Sequence, residues 1–278
     1  MDLKIGTCQA NDGTKLHHEI STPDRPKGAI VFVHGLGDHI GRYNPFLKFF
    51  FARGYKVCLF DLRGHGRSRG RRMDAPNFKT YCEDLFAFYH HCRMLNGREI
   101  PWYLVGHSFG GQIALNFLAE HRYLFKAAAV LSSSIEMSLK MPNKWQQGFG
   151  ELLVKLMPCK RIHSAIDPSW ISHDINVQQS YKNDPYIHQF MTFRLGEAIL
   201  NNFHYIYTLP GRIRTPLLML HGSGDPICDP RGTKKFFNAL PLAEKRLKVY
   251  DGLYHELLNE VKKEEVYGDI EQWLQTFH

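Results

Sequence analysis

The sequence predicts an α/β fold in which a mostly parallel sheet is covered by helices on both faces. Three observations carry this prediction. Short apolar runs that stop at glycine, such as 28–35 and 55–64, are typical of buried strands. Segments with apolar residues at helical spacing separate these runs. The alternation recurs through most of the 278 residues, which is typical of strand–helix–strand units.

The amino-terminal half supplies the first elements of this pattern. Residues 15–20 alternate weakly, as an early hairpin strand would. The segment 42–54 has helical spacing and ends at Gly54, and glycine commonly stops a helix. The elements predicted next are a helix over 78–95, a strand over 102–107, a helix over 109–120 and a strand from residue 126.

A second set of strands and helices follows an interruption. We predict a strand over 216–222, a helix over 231–240, a strand over 245–252 and a helix from about Val261. Residues 135–208 break the alternation, because they are rich in Met, Trp, Asn, His and Tyr and lack a run of β-branched residues. The sequence therefore predicts a core of residues 1–134 and 209–278, with 135–208 inserted as a mostly helical cap.

Composition narrows the classes of function. Six cysteines are scattered without a C-x-x-C pair, so we expect buried or idle thiols and neither a metal nor another cofactor. The formal net charge is +8, and "RGHGRSRGRR" (63–72) contains five arginines. No nucleic-acid motif accompanies this string. We expect a solvated loop or a contact with an anionic surface, and no nucleic-acid partner.

The chain start bears on location. The segment "MDLKIGTCQANDGTKL" lacks the apolar core of a signal peptide, and no stretch reaches the roughly 18 apolar residues of a membrane span. The sequence therefore predicts a cytoplasmic protein. Its basic charge leaves open a peripheral contact between the cap and anionic lipid headgroups. The sequence does not indicate an oligomeric state.

A serine between glycines marks the candidate nucleophile. In "GHSFGG" (106–111), Ser108 follows a predicted strand and precedes a predicted helix. A G-x-S-x-G turn at this place is sharp and strained, and it leaves the serine hydroxyl exposed for attack. A serine that merely caps the helix is the alternative, which the strand–turn–helix context disfavours. The N–H of Phe109 would then be one donor of an oxyanion hole.

Such a serine needs a histidine base held by a carboxylate. In this topology the chain order is serine, acid, histidine, each in a loop after a strand. Asp225 and His255 occupy the loops after two consecutive predicted strands. Each also has a local alternative, since Gly-Asp-Pro is common in turns and His255 precedes a helix. Weaker candidates are Asp229 for the acid, which we read as a helix start, and His107 and His121 for the base.

The second oxyanion donor is expected in the glycine-containing loop "HGLGDH" (34–39), which follows the strand over 28–35. We select the N–H of Leu36. His34 is expected to order this loop by hydrogen bonding rather than to take part in the chemistry.

Together these residues resemble the α/β-hydrolase fold, and within it the monoacylglycerol lipase and lysophospholipase group, also called serine aminopeptidase-like hydrolases. The matching strings are "VHGLGDHIGRY", "FDLRGHGRSRG", "LVGHSFGG", "HGSGDPICDP" and "YHELLNE". The resemblance covers nearly the whole chain, including "IDPSWISHDINVQQSYKNDP" in the cap. It implies Ser108, Asp225 and His255 as a catalytic triad, and Leu36 with Phe109 as the oxyanion hole. Such enzymes often carry Met in place of Phe109, and a ring there would narrow the acyl entrance.

The cap contains an apolar stripe that bears on the substrate. The residues Phe149, Leu152, Leu153, Leu156 and Met157 share one helical face in "GFGELLVKLMP" (148–158), which would either line an acyl channel or seat the cap on the core. We predict a serine hydrolase that cleaves carboxylic esters of acyl lipids, most specifically monoacylglycerols, with an acyl lipid or small ester as partner. A lysophospholipase, a general carboxylesterase, a thioesterase or an aminopeptidase would use the same triad. An inactive binding protein is disfavoured because all three triad residues are present.

Overall fold

A computed structural model describes residues 3–95, 99–138, 154–163 and 166–278. Its centre is an eight-stranded sheet. The strands in chain order are β1 (Leu3–Gln9), β2 (Lys15–Ser21), β3 (Gly28–Val33), β4 (Tyr55–Phe60), β5 (Trp102–His107), β6 (Ala127–Leu131), β9 (Leu217–Gly222) and β10 (Lys245–Tyr250). Two further short strands, β7 (Arg161–His163) and β8 (Phe190–Thr192), pair with each other outside this sheet.

The order across the large sheet is β1-β2-β4-β3-β5-β6-β9-β10. The pairs β1–β2 and β2–β4 are antiparallel, and the other neighbours are parallel. The predicted mostly parallel sheet is therefore confirmed. Strand β1 was not predicted, because it lies at the sheet edge with only Cys8 buried and so shows no clear alternation.

Helices cover both faces of this sheet, as predicted. In chain order the described helices include α1 (Asn44–Ala52), α2 (Lys79–Met94), α3 (Phe109–Glu120), α4 (Ile175–Asn183), α5 (Phe193–Tyr205), α6 (Pro230–Ala239) and α7 (Lys263–Gln275), of which α4 and α5 belong to the region 135–208. Apolar residues of α1 and α7 pack on one face of the large sheet and form one hydrophobic core with it. Apolar residues of α2, α3 and α6 contribute to a second hydrophobic core on the opposite face of the sheet. Among the described residues, no helix is long and apolar enough to cross a membrane.

The region predicted as a cap contains α4 and α5 together with the antiparallel pair β7–β8. These two strands have three residues each, too few to show an alternating pattern, and the sequence analysis did not predict them. Polar contacts join this region to loops at the carboxyl edge of the large sheet. Among them are Thr192 Oγ1 to Asp74 at 2.7 Å, His39 Nε2 to Asp184 at 2.8 Å, and His173 Nδ1 to Glu260 at 2.7 Å.

The arginine-rich loop is only partly solvated. Arg67, Arg69 and Arg71 are exposed. Arg63 is buried, and its guanidinium donates two hydrogen bonds of 2.6 Å to the carboxylate of Asp84 in α2. This paired geometry satisfies both charges inside the protein, so one arginine of the string has a structural role.

Candidate active site

Ser108 lies at the turn between β5 and α3 in a strained backbone conformation. Its φ is +55° and its ψ is −118°, values that are costly for a residue with a side chain. The flanking glycines allow this turn to pack closely. A Cβ atom at Gly106 would lie 2.6 Å from the carbonyl oxygen of Gly110, and no side chain fits there. Ser108 makes no side-chain capping bond to α3, so its hydroxyl is left for another partner.

That partner is His255, which the loop after β10 brings to the serine. The Nε2 atom of His255 lies 2.9 Å from Ser108 Oγ, and its Nδ1 lies 2.8 Å from Oδ2 of Asp225, in the loop after β9. All three residues are buried. With a proton on Nδ1 donated to the carboxylate, Nε2 is free to accept the serine proton. The three residues predicted from separate loops thus lie in hydrogen-bonded sequence.

The Asp225 carboxylate affects the protonation of His255. Burial is the largest single influence on His255 and lowers its pKa, but the charges and hydrogen bonds of Asp225 and Cys228 together outweigh burial and raise that pKa well above its usual value. Burial raises the pKa of Asp225, but the positive charges and hydrogen bonds of His255 and His221 together prevail, so the carboxyl pKa falls below its usual range. The pair therefore favours a proton on His255, which makes this imidazole a stronger base.

Backbone amides hold Asp225 in place. Its Oδ1 accepts hydrogen bonds from the N–H groups of Ile227 at 2.8 Å and Cys228 at 3.0 Å. Its Oδ2 lies 3.1 Å from Nε2 of His221, a fully buried residue near the end of β9. Sequence reasoning missed His221, since nothing in the sequence distinguishes it from the other histidines among sixteen.

The weaker candidates take other positions. Asp229 accepts from the N–H of Arg231 at 2.8 Å and caps α6, as its sequence context indicates. His107 contacts the backbone of the candidate base, with its Nε2 3.2 Å from the backbone oxygen of His255. His121 follows the last residue of α3 and stacks on Phe86. The described contacts of these three residues are with groups other than Ser108 Oγ.

The predicted oxyanion donors border the same cavity as Ser108. Phe109 is the first residue of α3, so its N–H has no acceptor within the helix. Leu36 lies in a loop ordered by His34, which accepts from the N–H of Leu62 at 2.9 Å and donates from Nδ1 to Gly35 O at 2.8 Å. Burial lowers the pKa of His34 and keeps it neutral, as this pair of bonds requires.

A cavity of about 300 Å³ opens beside Ser108 and is lined mainly by apolar side chains. Those from the region 135–208 and the loop after β9 include Met137, Ile162, Met191, Ile199, Phe203 and Ile227. Phe109 is 2% exposed, and its ring packs edge-on against Tyr81 at 5.1 Å between centroids. The ring is therefore held within the core beside the cavity.

The apolar stripe of the cap falls mostly beyond the described residues, since Phe149, Leu152 and Leu153 lie outside them. Leu156 is described and is 69% exposed. It is not among the described residues that line the cavity. Besides Ser108, the described lining includes the polar residue Ser134, whose N–H donates to the carbonyl of Ser108 at 3.2 Å.

One group of potential metal ligands lies in the site. The ligand atoms of Asp225, Cys228 and His255 are within 4.8 Å of one another. The carboxylate and imidazole atoms that would bind an ion face each other at 2.8 Å, which is hydrogen-bond distance. Two ligands on one cation each need about 2 Å to the metal and a wider separation, so this geometry fits a proton between them.

Comparisons with known proteins assign the chain to a family. The family model for serine aminopeptidase, S33 matches residues 24–262. An uncharacterised abhydrolase domain-containing protein of Dictyostelium discoideum is 31% identical over 99% of this chain, which spans 29% of that protein's length. A monoacylglycerol lipase of Mycolicibacterium smegmatis is 29% identical, with 94% of this chain and 93% of that protein covered.

The solved structures agree in fold. The crystal structure of Paleococcus ferrophilus monoacylglycerol lipase superposes with a TM-score of 0.83 at 25% identity, and it covers all of both chains. The predicted α/β-hydrolase fold is therefore confirmed. The chain belongs to the serine aminopeptidase S33 family of α/β-hydrolases, within the lipases and esterases of that fold.

Proposed function

We propose that this protein hydrolyses the carboxylic ester of monoacylglycerols, releasing a fatty acid and glycerol. One observation carries the proposal: the hydrogen-bonded sequence Ser108–His255–Asp225 ends beside an apolar cavity. The relative from Mycolicibacterium smegmatis, which is named a monoacylglycerol lipase, supports the choice of ester.

The reaction proceeds in two acyl-transfer steps. His255 takes the proton of Ser108 as Oγ attacks the ester carbonyl, and Asp225 stabilises the imidazolium that forms. The tetrahedral intermediate collapses to an acyl-serine as His255 protonates the glycerol oxygen, which leaves. A water molecule then attacks the acyl-serine, His255 accepts its proton, and the carboxylic acid departs as Ser108 regains its hydrogen.

The N–H groups of Leu36 and Phe109 stabilise the negative oxygen of each tetrahedral intermediate. Both residues border the cavity beside Ser108, and the amino-terminal end of α3 adds its positive dipole. Losing one such donor typically slows acyl transfer by on the order of 10²–10³.

The cavity accommodates the acyl chain. Each methylene transferred from water to its apolar wall contributes about 0.8 kcal/mol, so longer chains gain binding free energy until the cavity is full. Residues 135–208 supply much of the described wall, and we propose that this cap selects the acyl group while the core performs the chemistry.

A substrate panel tests the function. Monoacylglycerols, lysophospholipids, short p-nitrophenyl esters and aminoacyl amides are offered to the wild-type protein, to Ser108→Ala and to Ser169→Ala. Ser169 is an exposed serine of the cap and serves as the matched control. We expect hydrolysis of monoacylglycerols above all, a loss of order 10⁶ in kcat for Ser108→Ala, and no change for Ser169→Ala.

The other outcomes contradict specific parts of the proposal. Full activity in Ser108→Ala would exclude the serine mechanism. A preference for amides or lysophospholipids would exclude the monoacylglycerol assignment while leaving the triad in place. No hydrolysis of any compound in the panel would contradict the proposed esterase activity and favour the alternative of an inactive binding protein of this fold.

We further propose that a cytoplasmic form of the protein touches anionic membranes through its cap. Leu156 and Met157 are exposed apolar residues, and Lys155, Lys160 and Arg161 are exposed cations beside them. Co-sedimentation with phosphatidylserine vesicles at low salt is expected to fall in Leu156→Ser and to persist in Val261→Ser, which removes an exposed apolar side chain of the core. Equal binding by both variants, or none by the wild type, would contradict this contact.

A further inference from the structure

Two histidines share one oxygen of the Asp225 carboxylate. Oδ2 lies 2.8 Å from Nδ1 of His255 and 3.1 Å from Nε2 of His221. His221 belongs to β9, has no exposed surface and does not contact Ser108 in the described structure. Both ring nitrogens of a buried imidazole need hydrogen-bond partners, so the approach of His221 to the Asp225 carboxylate reflects a hydrogen bond between them.

The surroundings of His221 determine where its proton resides. Nε2 faces two acceptors, Asp225 Oδ2 and the backbone oxygen of Cys228, each at 3.1 Å. A bare lone pair in that position would be repelled by both oxygens, so Nε2 carries a hydrogen. Nδ1 lies 2.7 Å from Oγ1 of Thr233, a hydroxyl that can donate to it. The result is a continuous series from Thr233 through His221 to Asp225.

We propose that His221 is a positioning residue for the Ser108–His255–Asp225 triad: its Nε2–H fixes the Asp225 carboxylate and takes up part of the charge on Oδ2. This inference rests on the proposed function. Without that donor, the described contacts leave Oδ2 only its bond to His255, so both the carboxylate and His255 are less firmly oriented. The neighbouring bonds from Ile227 and Cys228 hold only the other oxygen.

The donor also tunes the base. A hydrogen bond from His221 withdraws charge from Oδ2, so His255 experiences a weaker negative field than a bare carboxylate would exert. Removing it should raise the pKa of His255. The other titratable groups that face His255 are Cys228 and His107, and Asp229 lies near His221; the variants below leave all three unchanged.

Three substitutions separate positioning from packing. His221→Leu removes the donor, His221→Gln places an amide N–H near the same point, and Thr233→Val removes the hydroxyl that holds the imidazole. We measure kcat, KM and the pH dependence of kcat/KM for the monoacylglycerol identified in the substrate panel, with Ser108→Ala in parallel. Because the limb of kcat/KM on the acidic side reports the free enzyme's base, it follows the protonation of His255.

We expect His221→Leu to lose roughly tenfold or more in kcat, as deletion of a hydrogen bond to a charged group predicts, with KM nearly unchanged. Its acidic limb should move to higher pH. His221→Gln should stay within about threefold of wild type with an unmoved limb, and Thr233→Val should fall between the two.

Several results would overturn the proposal. Wild-type kcat and an unmoved limb in His221→Leu would exclude it, and so would equal losses in Gln and Leu variants with unmoved limbs, which indicate packing alone. If His221→Leu does not fold, then Thr233→Val and His221→Gln test the proposal through the position of the acidic limb of their kcat/KM profiles. Activity that survives in Ser108→Ala would instead refute the proposed function on which this role rests.

Discussion

A Cβ atom at Gly110 would stand 2.1 Å from the carbonyl oxygen of Val33. The first turn of α3 therefore packs directly on the end of β3, from which the loop that carries Leu36 departs. This approach brings the two candidate oxyanion donors to one place. We expect Gly110→Ala to push them apart, lowering kcat/KM at least tenfold and destabilising the fold by about 1–3 kcal/mol. Steady-state kinetics and thermal unfolding measure the two effects.

Gly268→Ala is the control for that substitution. Gly268 lies inside α7, and a Cβ atom there would meet nothing within 4 Å. Alanine should therefore stabilise the helix by about 0.5–1 kcal/mol and leave kcat/KM unchanged. Wild-type activity in Gly110→Ala would show that the close approach to β3 does not shape the site.

The hydroxyl of Ser134 is expected to weaken the binding of apolar acyl chains. Ser134 is 7% exposed, and among the described residues its Oγ has no hydrogen-bond partner. A chain that fills the cavity would cover this hydroxyl at a cost of about 1–3 kcal/mol. Ser134→Ala should therefore lower KM for a long-chain ester by about fivefold or more and leave KM for an acetyl ester unchanged. An unchanged KM for the long-chain ester would show that the chain does not cover Ser134.

Asp225→Asn should change both the rate and its pH dependence. An amide cannot stabilise the imidazolium, so kcat should fall by on the order of 10⁴. Asp225 raises the pKa of His255 in the wild type, and removing its charge lowers that pKa. The acidic limb of kcat/KM should consequently move to lower pH, opposite to the shift expected for His221→Leu. A limb that stays in place would mean that a group other than His255 controls it.

Acid should destabilise the fold through buried neutral histidines. Burial, with smaller contributions from His91 and His17, lowers the pKa of His18 to about 4 from 6.5. Between these values the unfolded chain binds a proton that the folded chain does not, so this contribution to stability is complete above pH 6.5 and declines as the pH falls towards 4. His18→Gln should flatten the loss of Tm from pH 7 to pH 5. His204→Gln alters an exposed histidine and should keep the wild-type slope.

The positions of Ser108, Asp225 and His255 were predictable because parallel strands end at one edge of a sheet, and each residue follows such an end. His221 and Ser134 were not, because neither stands in a recognisable motif. Their relation to the site depends on side-chain directions that only the fold defines. Sequence reasoning can predict site residues that follow a recognisable strand end or belong to a known motif. It cannot predict residues that reach the site only through side-chain contacts between distant parts of the chain.

In the region predicted as a cap, helical periodicity does not predict which residues line the cavity. Helical spacing in 148–158 indicates an apolar face but not what that face covers, and Leu156 of this stripe is exposed. The described part of the cavity wall includes residues dispersed along the region, such as Ile162, Met191 and Phe203. Their spacing in sequence follows no single helix or strand, because β7 and β8 contribute one residue each and α5 contributes several.

The polar contacts between the region predicted as a cap and the sheet-edge loops, three of which were described above, have a consequence for exchanging parts between related enzymes. On the core side, each depends on one residue of a sheet-edge loop: Asp74, His39 or Glu260. A cap transplanted from a relative would have to bring partners for these side chains, because an unpaired carboxylate in a buried seam costs more than the loss of one bond. A chimera that keeps Thr192, Asp184 and His173 while replacing the cavity wall should transfer a new acyl group to the same serine, Ser108.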